Sequence, residues 1–117
     1  MNIAIVDDDK DILELLEKFL KKQGHSVRTY INPVTALSSI SKDTDVVLSD
    51  ITMPQMSGLE LLEKLSQSKP DVKVIIMTGD STLDKVLKAH RNGAVSYIMK
   101  PFKSMKSLEE KIIEMAK

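Results

Sequence analysis

The stretch IAIVDDDKDIL, residues 3–13, runs four apolar residues straight into three consecutive aspartates, with a fourth acid at Asp11. A short branched apolar run that stops against acids reads as a strand buried on both faces and ended at its carboxyl end. Crowded carboxylates repel by roughly 4 kcal/mol per close pair at an effective dielectric near 20, and Lys10 is the one basic residue nearby. The cluster calls for a cation from outside this stretch.

Outward from it, the same kind of run recurs. VVL (46–48) and VKVIIM (72–77) are further fully buried strands, while SVRTY (26–30) and VSYIM (95–99) read as strands nearer an edge or with one wetter face. Helical spacing fills the gaps: Ile12, Leu13, Leu15, Leu16, Phe19 and Leu20 recur at three and four residues, with Gly24 as the C-terminal cap. Asn32-Pro33 opens a helix to about Ser41, Ser57 and Glu60 form a capping box, and a fourth helix runs from about Ser81 to Asn92 before Gly93. A fifth covers about Ser107 to Ala116, with Leu108, Ile112 and Met115 as its stripe. Strict alternation of strand and helix predicts an α/β fold: a parallel, doubly wound sheet with right-handed crossovers, one domain over residues 1–117.

The totals narrow the function. Seventeen basic residues balance seventeen acidic ones and aromatics are 3%, so the chain lacks the charge and stacking surface for direct nucleic-acid binding. Without cysteine there is no thiolate zinc site or thiol nucleophile. No run approaches the ~18 apolar residues of a membrane span, and a cytoplasmic location is expected. His25 and His90 have no metal-ligand spacing and are expected at the surface; Met77 and Met115 read as core filler, and Met53, Met56 and Met105 as core or loop packing.

In open parallel sheets ligands bind beyond the carboxyl ends of the strands. There the chain places Asp7, Asp8 and Asp9 after the first strand, Ser49-Asp50 after the third, Thr78-Gly79-Asp80 after the fourth and Lys100-Pro101 after the fifth. Each alone is an ordinary turn or cap, as Asp9 is expected to be for the first helix. Together, carboxylates, a hydroxyl and an ammonium on one rim form a set suited to phosphate and a metal ion.

VDDD, LSDITMPQMSG, IIMTGD and GAVSYIMKPF stand in the order and at the separations of response regulator receiver domains, and the resemblance spans essentially the whole chain. It implies the flavodoxin-like (βα)5 three-layer sandwich with strand order 2-1-3-4-5. It also implies that Asp50 accepts a phosphoryl group from a phosphohistidine on a sensor histidine kinase or phosphotransfer protein. Asp7 and Asp8 match the acidic pair that holds Mg²⁺ (or Mn²⁺), with Asp8, Asp50 and the Thr52 carbonyl as direct ligands and Asp7 acting through water. Thr78 and Lys100 match the residues that bind phosphoryl oxygens, Gly79 leaves them room, and Lys100-Pro101 is expected to be cis. The resemblance also implies that Thr52 and Asp80 occupy positions that tune the rate of hydrolysis. Tyr97 matches the switch aromatic that, with Thr78, reports to the face of the fourth helix, fifth strand and fifth helix, read by a downstream effector or output domain.

Two other readings compete. A phosphatase of the haloacid dehalogenase type would use Asp7 and Asp9 as nucleophile and acid, but it needs a further acidic motif after the lysine strand, where 17 residues remain, and leaves Asp50 unexplained. A phosphorylation-independent binding module would keep the fold without the chemistry. The residues fit equally a stand-alone regulator or a receiver belonging to a longer one.

Overall fold

In the parallel sheet β1 (Asn2–Val6), β2 (Ser26–Tyr30), β3 (Val46–Asp50), β4 (Lys73–Thr78) and β5 (Ser96–Met99) stand in the order β2-β1-β3-β4-β5. The computed structural model describes residues 1–79 and 88–117. Most of the fourth helix expected from Ser81, and Asp80 with it, lies outside the described residues; a helical segment over 88–91 is here α4. The other helices are α1 (Lys10–Lys22), α2 (Pro33–Ser39), α3 (Gly58–Ser68) and α5 (Met105–Ala116).

Strand alternation sends successive side chains to opposite faces, which divides the core into two layers. Ile3, Ile5, Val46, Leu48, Ile75 and Met77 meet α1 and α5 through Leu13, Leu16, Leu20, Leu108 and Ile112. Ala4, Val6, Val47, Val74 and Ile76 meet α2 and α3 through Ala36, Leu61, Leu62 and Leu65, with Ala89 of α4. The central strands bury both faces, hence their continuous apolar runs, whereas edge strand β5 leaves Tyr97 and Met99 open on one side.

The helix ends follow from local chemistry. Asp9 caps α1, its side chain accepting from Asp11 N and Ile12 N, and the Asn32 side chain caps α2 by accepting from Val34 N with Pro33 in the first turn. Gly24 (φ 94°) follows α1 in a Schellman turn: its N–H donates to Lys21 O and that of His25 to Leu20 O, and Gly93 (φ 108°) repeats the pattern after α4. Two boundaries differ from expectation. α2 stops at Ser39 rather than near Ser41 because Ile40 turns extended and enters the core. α5 begins at Met105, two residues before Ser107, because the Ser104 side chain is the cap and accepts from Ser107 N.

His25 also departs from the surface position expected of it. Its ring is largely enclosed, with Nε2 2.8 Å from Glu109 Oε2 of α5 and Nδ1 3.1 Å from the Met1 amino nitrogen, so both ring nitrogens find polar partners and the ring can be buried. His90 is exposed. Met77 is fully buried, and Met53, Met56, Met105 and Met115 pack against the core. Among the described residues no helix is long and apolar enough to cross a membrane.

Neighbouring leucines on α1 test the layer assignment. Leu16 is 0% and Leu15 51% exposed. Leu16→Ala is expected to lower the unfolding free energy by about 2–5 kcal/mol and Leu15→Ala to change it by under ~0.5 kcal/mol, read from urea titration midpoints.

Candidate functional site

All five strands run the same way, so their carboxyl ends share one rim, and the buried apolar strands bring polar residues to it only where they stop. Asp7 follows β1 and is wholly buried; its Oδ1 accepts the Asp9 N–H at 2.9 Å and its Oδ2 the Lys100 ammonium at 2.7 Å. Asp50 ends β3, its Oδ1 accepting the Ile51 N–H at 2.8 Å and standing 3.5 Å from Lys100 Nζ. Asp8 is exposed, yet one carboxylate oxygen from each of Asp7, Asp8 and Asp50 lies within 4.8 Å of the others.

Lys100 reaches Asp7 and Asp50 from the far side of the sheet because its own N–H donates to the Thr78 carbonyl at 2.8 Å, tying it to the end of β4. The Lys100-Pro101 bond is cis, as expected. Thr78 is buried at the same rim. Among the described residues a Cβ on Gly79 would meet nothing within 4 Å. Gly58, opposite, has no such freedom: a Cβ there would overlap the Asp50 carbonyl oxygen and lie 2.7 Å from Ile51 Cα. Glycine at that position lets the start of α3 close against the end of β3, where the Gly58 N–H donates to Ile51 O at 2.7 Å.

Electrostatics at the rim are finely opposed. Burial raises the Asp50 carboxyl above its ordinary 3.8, the Lys100 charge pulls it down, the Asp7 charge pushes it up, and hydrogen bonds from Ile51 and Lys100 lower it; the net direction is upward. Hard carboxylate oxygens gathered this closely, at a site still partly open to water, are a donor set that fits a small oxygen-seeking dication.

Sequence reasoning placed Asp7, Asp8, Asp50, Thr78 and Lys100 at one rim, and they are there. Thr52 is exposed on the loop after β3. Tyr97 does not reach the rim: it is 39% exposed, with the Lys111 ammonium 5.5 Å from its ring centroid. Asp9, which a dehalogenase-type reading would use as an acid, is occupied as the α1 cap. Ser49, whose hydroxyl donates to the Asp50 carbonyl at 3.0 Å, went unremarked as more than a strand-end neighbour; a serine among valines and leucines in VVLSD is the signal that marks it.

Residues 3–113 match the response regulator receiver domain family, and the chain belongs to it: it is a receiver domain, the signalling-switch module of two-component response regulators. The DNA-binding transcriptional regulator NtrC of Escherichia coli is 44% identical over 101 residues, 86% of this chain and 22% of that protein. The transcriptional regulatory protein FlgR of Helicobacter pylori is 37% identical over 123 residues, 100% of this chain and 32% of that protein. The chain thus spans about a fifth to a third of the length of these relatives. A CheY-like response regulator receiver domain protein from Methanospirillum hungatei has the same fold, with a TM-score of 0.90 at 34% identity over 98% of this chain and 92% of that one.

The raised Asp50 carboxyl has a stability consequence with a definite sign. A carboxyl that holds its proton more tightly when folded favours folding below its ordinary value, and that contribution is lost as pH rises through the raised value. Asp50→Asn removes the cost of keeping the charge. In metal-free buffer it is expected to unfold at a higher temperature than the parent near pH 7, with the gain shrinking as pH falls toward 3.8; thermal melts across that range read it.

Proposed function

We propose that Asp50 is the phosphoacceptor of this receiver domain, and that the observation carrying the reading is the rim itself. Three carboxylates lie within 4.8 Å, and one ammonium stands 2.7 Å from Asp7 and 3.5 Å from Asp50. An ionised Asp50 oxygen attacks the phosphorus of a phosphohistidine on a sensor histidine kinase or phosphotransfer protein. The oxygen–phosphorus bond forms as the phosphorus–nitrogen bond breaks, and the imidazole leaves with the bonding pair and takes a proton. Water attack on the acyl phosphate later returns the carboxylate and releases inorganic phosphate, so the domain catalyses both its loading and its reset.

Lys100 and the Thr78 hydroxyl hold phosphoryl oxygens, a compact ammonium suiting the first task. Asp8 and Asp50, with the Thr52 carbonyl, would hold Mg²⁺ or Mn²⁺, and Asp7 would act through water. The ion when bound neutralises phosphoryl charge during in-line transfer. By the family resemblance Thr52 and Asp80 occupy the positions that set the hydrolysis rate. When Lys100 turns to the phosphoryl group its bond to Asp7 weakens, Thr78 follows, and outward-facing Tyr97 turns in, changing the face of α4, β5 and α5 that a downstream effector or output domain reads. Such a switch needs two arrangements separated by only a few kcal/mol. The setting is cytoplasmic, and any DNA contact belongs to another part of a longer regulator.

Incubation with Mg²⁺ and acetyl phosphate should add one phosphoryl group to the intact mass, dependent on Mg²⁺ and absent from Asp50→Asn. No gain with acetyl phosphate or with phosphorylated kinase, in folded protein, would favour a phosphorylation-independent binding module. Separately, Mg²⁺ at ten times its dissociation constant is expected to add about 1.4 kcal/mol of stability and several degrees to the melting temperature. Asp8→Asn should abolish that shift; a parent melt indifferent to millimolar Mg²⁺ would remove the metal from the reading.

A further inference from the structure

Ser49 is wholly buried in β3. It stands in register between Val6 of β1 and Ile76 of β4, which pack in the apolar layer under α2 and α3. A hydroxyl in such a row costs free energy unless a hydrogen bond satisfies it, and Ser49 Oγ donates to the Asp50 carbonyl oxygen at 3.0 Å. That carbonyl shares a peptide unit with the Ile51 N–H, which donates to Asp50 Oδ1 at 2.8 Å. Hydroxyl, carbonyl, amide and carboxylate therefore form one continuous chain, and a bond accepted at the carbonyl end polarises the peptide and strengthens the donor at its other end. Gly58 closes the remaining side, since its Cα sits against the same carbonyl with no space for a Cβ.

We infer that Ser49 is a positioning residue for phosphoryl uptake: through the Asp50–Ile51 peptide it keeps Oδ1 on the Ile51 amide and presents Oδ2 to the incoming phosphorus. Among the described residues, Oδ2 takes part in no hydrogen bond or ion pair, while Oδ1 has both the Ile51 N–H and Lys100 beside it. The inference rests on Asp50 being the acceptor. An alanine or valine would fill the apolar row without the carbonyl bond, so the hydroxyl matters for the orientation of the carboxylate rather than for packing.

Thr and Val have nearly the same shape, so Ser49→Thr and Ser49→Val crowd the row alike and differ in the hydroxyl. With acetyl phosphate and Mg²⁺, the initial rate of mass gain is expected to fall roughly three- to tenfold in Ser49→Val relative to Ser49→Thr. The melting temperature of the valine form should be no lower. Ser49→Ala, which crowds nothing, should show the same loss against the parent, and hydrogen exchange at the Ile51 amide, followed by NMR without any phosphodonor, should be faster in Ser49→Ala than in the parent. Equal uptake by the threonine and valine forms, or unchanged Ile51 exchange, with the parent fully labelled, would overturn the inference alone. No label on the parent would instead overturn the acceptor reading on which it rests.

Discussion

The ion pair between Lys100 and Asp7 is the constraint around which the rim is organised. β1 and β5 are not neighbours: β3 and β4 lie between them, and the 2.7 Å contact spans that gap above the strand ends. A wholly buried carboxylate is tolerable only with a partner of opposite charge and hydrogen bonds to its remaining lone pairs. Asp7 has both, from Lys100 and from the Asp9 amide. Asp50 is less well compensated, 3.5 Å from the same ammonium, and burial prevails there. Among the described residues one lysine thus serves two carboxylates unequally, closer to Asp7 than to Asp50.

That imbalance depends on the sheet. Residues of parallel strands that end together are brought to a common edge whatever their distance along the chain, and Asp7 and Lys100 are 93 residues apart. The two apolar layers hold the strands in register from both sides, so the rim groups are placed by buried leucines, isoleucines and valines they do not touch. Lys100 shows the same dependence, since its backbone is tied to Thr78 before its side chain crosses the rim.

Much of this was legible in the sequence. Buried parallel strands announce themselves as unbroken branched runs, and their ends as the first polar residues, which is why Asp7, Asp50 and Thr78 are placed by the sequence alone. The order of the strands was not in the pattern; it came from the resemblance of four motifs. Boundaries were missed where one residue had two uses. Ile40 could extend a helix or enter the core, and Ser104 and Ser107 could each have been the cap. His25 was misjudged because its partners, Met1 and Glu109, lie 24 and 84 residues away and no local spacing points to them. Ser49 was seen as a neighbour of Asp50, while its role depends on which way one hydroxyl turns.

The pairing of His25 with Glu109 also bears on how α5 can move. The imidazole belongs to the turn between α1 and β2, and the carboxylate to the middle of α5. Apolar contacts such as those of Leu108 and Ile112 permit sliding at little cost, whereas a short polar bond to a fixed corner does not. The helix is therefore moored along one flank, and any displacement of α5 has to keep or break this bond, which makes the flank held by the histidine the more constrained of the two.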